Sequence, residues 1–124
     1  VIKPIGILGS GMSTTITMMQ IPEGADSTAE LPNHFELVPL GTHAEVMAIL
    51  KKLFPDAIDS DPTWILVPSY DYTEIIVGKE DPLYDIGLRN PTVEMILFIY
   101  EQTGWRGIDP SNGRIVPPFG DDYY

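Results

Sequence analysis

The sequence predicts an α+β fold: an antiparallel sheet of about five to six strands with two helices on it, ordered β-α-β-β-β-α-β-β in two layers. Three observations lead there. Two segments carry apolar residues at helical spacing, with capping residues at their ends. The remaining apolar segments are short and rich in β-branched and aromatic residues. Three of these follow one another through short turns, which suits antiparallel neighbours and not a doubly wound parallel sheet. With 124 residues, 44% of them hydrophobic, the chain is long enough for one domain with one core.

Residues 1–33 read as an irregular arm. The stretch "GILGSGMST" has the look of a nucleotide-binding loop and fails its tests. Gly6, Gly11 and Ser13 fit a P-loop, but Met12 occupies the lysine position, and a thioether supplies no charge for phosphates. Gly9 and Gly11 fit a dinucleotide fingerprint, but Thr14 stands where glycine or alanine belongs. The Ser, Thr and Ile residues that follow favour extended chain over the helix either motif needs. Gly-Ser-Gly before Met12 reads instead as a flexible joint ahead of a start methionine, making 1–11 a leader or linker addition. Such an apolar leader could add as an extended strand to a sheet edge or to a neighbouring chain. "IPEGADSTAELPN" is a loop by composition.

A single domain is expected over 34–116. "HFELVPL" (34–40) reads as its first strand, with Pro39 at a strand end or sheet edge. Thr42 and Glu45 form a capping box, and Val46, Ile49, Leu50 and Leu53 give the helix one buried face. Lys51 and Lys52 suit its C-terminal dipole, and Pro55 ends it. "DAIDSDP" is an acidic loop; "TWILVPS" and "YTEIIVG" are strands. In "LYDIGLRN", Tyr84, Ile86 and Leu88 are expected to face the core, with Leu83, Asp85, Gly87 and Arg89 outward. The second helix is capped by Asn90, takes Pro91 as its first residue and stops at Gly104. Its unbroken apolar run over 95–100 predicts a largely buried helix or one that also meets a partner. "WRGIDPSNGRIV" closes as a hairpin, and 117–124 is a tail.

Charge narrows the classes of partner. Eighteen acidic residues face seven basic ones, a formal net charge of −11. Such a surface repels nucleic acid and anionic lipid and attracts basic proteins, besides keeping the chain soluble. No apolar run is long enough for a membrane span. The absence of cysteine removes disulfides, thiol nucleophiles and cysteine metal sites, and suits a reducing, cytoplasmic compartment.

Reactive constellations are weak. Asp56, Asp59 and Asp61 crowd one loop, but their spacing and Pro62 do not match a calcium loop, so no metal is expected. His34 and His43 stand in no catalytic or metal-binding spacing and are read as surface or capping residues. Glu80 with Asp81, or Glu74 with Asp85, are the carboxylate pairs available for acid–base work; the first sits in a turn, where its local role is turn formation. No cofactor motif stands out. Trp64 and Trp105 are expected to anchor the core. Tyr70, Tyr72, Tyr123 and Tyr124 lie among aspartates, a setting that makes good contacts for a basic partner.

From Phe35 to about Val116 the chain resembles a widespread type of small bacterial protein. The residues that carry the resemblance are the capped helix ending in "LFP", then "DPTW", "GKEDPLYDIGLR" and "GWRGIDPSNGRIV", about two thirds of the chain. Many such proteins are similar to immunity proteins, which bind and silence a companion toxin. The resemblance implies a non-enzymatic binding module; its motifs are strand ends and turns, so no catalytic residue carries over. On this reading the expected contacts to a basic, nuclease-like toxin are Asp59, Asp61, Tyr70, Asp71, Tyr72, Glu74, Glu80 and Asp81. The alternatives are a small ligand-binding domain or enzyme with a pocket between sheet and helices, or an accessory domain of a larger assembly. A homodimer stays open.

Overall fold

The computed structural model describes residues 15–21, 25, 27–31 and 37–119. The glycine loop, the leader, His34, Phe35, Tyr123 and Tyr124 lie outside the described residues. Among the described residues seven strands are formed: β1 (Thr15–Met19), β2 (Ile58–Asp61), β3 (Trp64–Val67), β4 (Thr73–Ile76), β5 (Asp85–Arg89), β6 (Arg106–Asp109) and β7 (Arg114–Val116). Two helices, α1 (His43–Leu53) and α2 (Val93–Thr103), interrupt them. The strands form one sheet in the order β2-β3-β4-β5-β1-β6-β7, each neighbour antiparallel. The α+β class therefore holds, with more strands than expected.

The additional strands come from two segments read as irregular. β1 lies inside the expected arm, yet it pairs on both sides, Thr17 facing Gly87 of β5 and Ile108 of β6. The cause is α2. A strand that returns after a helical crossover runs parallel to the one that entered it. Both β5 and β6 are antiparallel to β1, so they are parallel to each other with β1 filling the slot between them. The Thr- and Ile-rich extended tendency of residues 15–18 is thus expressed in the sheet. β2 is the second surprise. Its four residues, Ile-Asp-Ser-Asp, are all exposed at the sheet edge, where charge discourages further pairing.

The strand expected at 34–40 does not form over the described residues 37–40. Pro39 has no amide proton for a ladder. Leu37 and Val38 are exposed, and pairing is limited to Leu40 and Gly41 against Leu83. That bridge also corrects the reading of "LYDIGLRN": Leu83 is buried and Tyr84 is exposed, while Ile86 and Leu88 face the core as expected.

The first helix is capped as its sequence predicts. Thr42 Oγ1 accepts the Glu45 amide at 3.1 Å, and Glu45 Oε1 accepts the Thr42 amide at 2.9 Å. The second cap is Thr92, not Asn90: Thr92 Oγ1 accepts the Met95 amide at 3.0 Å, Pro91 precedes the cap instead of opening the helix, and Asn90 turns the chain at φ +50°. Gly104 closes α2 at φ +79°.

Strand alternation then sorts the side chains. Ile16, Met18, Ile65, Val67, Ile75, Ile86, Leu88 and Val116 face inward and share one core with Val46 and Leu50 of α1 and Val93, Met95, Ile96 and Ile99 of α2. Gly107 occupies an inward position beside them, where a Cβ would lie 2.5 Å from Ile16 Cγ2 and 3.0 Å from Met18 Sδ. Gly107→Ala is expected to cost about 1–3 kcal/mol, the range of overpacked cores, read as a lowered urea midpoint at unchanged slope.

Candidate functional site

The turns on either side of β3 leave the sheet at opposite ends, and they divide the acidic residues. At one end Asp61 Oδ1 accepts the Thr63 amide at 2.8 Å and its hydroxyl at 2.7 Å. The Val77 and Gly78 amides donate to Thr63 O, which draws the loop carrying Glu80 and Asp81 to that end. Asp81 Oδ1 accepts the His43 amide at 3.3 Å, and His43 Nε2 lies 3.1 Å from Gly78 O. His43 is thereby a tether between α1 and this loop.

At the other end Asp56 receives the Ser69 amide at 2.8 Å and the Ser69 hydroxyl at 3.0 Å. Asp71 and Tyr72 follow with φ of +56° and +57°, two consecutive left-handed residues that are costly for any side chain but glycine. This turn projects Tyr72, which is 61% exposed. Tyr70 is used differently. Its ring packs edge-on against Phe54 at 5.5 Å and stacks with Phe98 at 6.4 Å, joining the core. Of the remaining expected contact residues, Asp59 lies 3.7 Å from Lys51 Nζ of α1, and Glu74 lies 3.3 Å from Arg89.

The hydrogen bonds tune these carboxylates. The Thr63 hydroxyl, then its amide, holds Asp61 below the usual aspartate range. The Ser69 amide does the same for Asp56. Burial, then the nearby Glu80, pushes Asp85 up. Asp61 and Asp56 therefore keep their charge to lower pH than an ordinary aspartate. The Glu74–Asp85 pair does not come together: Glu74 faces Arg89, and Asp85 is four residues further along β5, roughly 13 Å at strand spacing. Among the described residues no group of three or more acidic or histidine side chains is placed to hold a metal ion, and no helix is long and apolar enough to cross a membrane.

The outward face of the sheet holds residues the sequence reading missed. Trp105 is buried as expected, but Trp64 is 41% exposed. In "WILV" alternation sends Ile65 and Val67 inward, so Trp64 and Leu66 must point out. The ladder sets Trp64 opposite Ile76 and Ile76 opposite Gly87. The next row runs Ile58, Leu66, Glu74, Arg89. The signal was present: four consecutive apolar residues in a short antiparallel strand cannot all be inside. On the helical side there is also an open cleft of about 270 Å³, lined by Leu40, Ile49, Lys52, Leu53, Gln102, Thr103 and Trp105. The Thr103 hydroxyl there already donates to Ile99 O and accepts the Trp105 amide. This cleft lies between the helix ends, and not between sheet and helices.

Comparison of the chain with family models, with curated proteins and with solved structures finds no match.

Two substitutions separate the neighbouring tyrosines. Tyr70→Ala is expected to lose about 2–3 kcal/mol in chemical denaturation, and Tyr72→Ala to stay within about 0.5 kcal/mol. Acid titration followed by NMR is expected to place the Asp56 carboxyl below the ordinary aspartate range. A folded value below the unfolded one means that its contribution to stability is present above about pH 4 and is lost as pH falls through the folded value. Asp56→Ala is expected to flatten that part of the stability profile.

Proposed function

We propose that this chain is a non-enzymatic binding protein of the immunity type, which captures a basic companion toxin and blocks it in the cytoplasm. The observation that carries the reading is the placement of a large acidic surplus on short, well-tied turns. Asp61, Glu80 and Asp81 stand at one end of the sheet, and Asp56, Asp71 and the projecting Tyr72 at the other. A formal charge of −11 gives long-range attraction for a basic cleft and raises the rate of encounter. Turns fixed by side-chain hydrogen bonds present that charge without a large ordering cost on binding. The exposed aromatic supplies contact area once the partners meet.

The test is capture of a partner on the immobilised protein, followed by reconstitution of the pair from purified components. The expected partner is basic, loses its activity in the complex and binds far more weakly as salt rises. A complex insensitive to salt, or one that leaves the partner fully active, overturns the reading. The triple change Asp61→Asn, Asp71→Asn, Asp81→Asn is expected to slow association about tenfold with little change in dissociation, measured by stopped flow.

A further inference from the structure

The sheet treats the two halves of its outward face differently. At the β6–β7 end the chain covers itself. Ser27 bridges Arg114, Arg106 donates to Ala25 O at 2.7 Å and to Pro117 O at 2.9 Å, and the outward Ile115 is buried. At the β2–β4 end three outward apolar side chains stay exposed, Ile58 at 48%, Trp64 at 41% and Ile76 at 36%, while Leu66 is half-buried. Trp64 and Ile76 face each other in the ladder, and Ile58 joins them through its own partner Leu66, the next outward residue of β3, so they form one patch. Gly87 extends the patch with a floor that lacks a side chain. The nearest atoms to a Cβ placed there are Thr15 Cγ2 at 3.4 Å and Ile76 Cβ at 3.6 Å, ordinary contact distances, so packing does not force the glycine.

We infer that this patch, centred on Trp64 and Ile76 over the Gly87 floor, is the surface on which a basic protein partner lays an arginine-bearing segment. The inference rests on the acidic-binder reading above and names its anchor. Charge selects the occupant. The strands β2 to β5 place Asp61, Glu74 and Asp85 at outward positions; against them stand Arg89, whose guanidinium is 3.3 Å from Glu74, and, beyond the end of β4, Lys79, whose charge reaches Asp61. A second copy of this chain would set these carboxylates against their own images across a two-fold axis. An arginine meets both halves of the chemistry. Its planar guanidinium stacks on the Trp64 indole and its aliphatic stem runs over Ile76 and Gly87. Asp61, opposite Trp64 in the ladder, accepts at the rim.

An oligo-arginine peptide at low salt is the probe, with binding read by calorimetry and by tryptophan emission. Trp105 is buried, so a change in emission on binding reports Trp64. The expected result is a shift of that emission and reduced acrylamide quenching, both lost in Trp64→Phe, with affinity about tenfold weaker in Trp64→Ala and in Ile76→Lys. Both positions face outward, and unchanged melting temperatures confirm that the variants fold. If the peptide binds both variants as tightly as the parent protein, the anchor is overturned while the acidic-binder reading stands. If it does not bind at all, both fail. A parent protein that sediments as a dimer, and as a monomer in Ile76→Lys, assigns the patch to a second copy and also overturns the inference.

Discussion

Everything in this fold depends on β1 occupying the slot between β5 and β6. Without Thr15–Met19, α2 would connect two parallel strands that do not touch, and Ile16 and Met18 would be missing from the middle of the core. The close approach of Gly107 to Ile16 shows how tightly the slot is fitted. A strand early in the sequence, paired with strands formed by residues 85–109, also makes the contacts of this sheet non-local. That places its folding among the slower topologies, since loop closure precedes the pairing that rewards it.

The outward face follows from the same sheet. Helices on one side fix which residues of β3, β4 and β5 are inside. Their alternation then leaves Trp64, Leu66, Ile76 and Gly87 on the other side, with Glu74 and Arg89 in the next row. The turns at the strand ends carry the acidic residues because turns are where Asp can satisfy backbone amides two residues on, as Asp61 and Asp109 do. The result is an apolar patch flanked by the carboxylates of Asp61 and Glu74.

How far the sequence revealed this varies by element, for physical reasons. The capping box at Thr42 and Glu45 was legible because it is local, and so was the turn from Asp109 to Gly113, where the Gly113 amide donates to Asp109 O at 2.8 Å. The cap of α2 was misplaced by two residues because Asn90 and Thr92 both carry capping side chains, and only the backbone conformation decides between them. The extended tendency of β1 was visible in its Thr and Ile residues, but its place in the sheet was not, because its partners are the distant residues of β5 and β6. Trp64 was misread for a related reason: tryptophan is usually well buried, and strand phase overrode that tendency. The acidic candidates were easy to name and hard to arrange, since only the turns around β3 show that they fall at two ends.

The measurement that tests the central claim most directly is NMR of the isotopically labelled protein in complex with a basic partner. If the bare half of the sheet is the docking surface, the largest shifts fall on the Trp64 indole N–H and the Ile58 and Ile76 methyl groups, with smaller ones at Asp61 and Tyr72. Shifts confined instead to the helical side, around Ile49, Leu53 and Trp105, would contradict it.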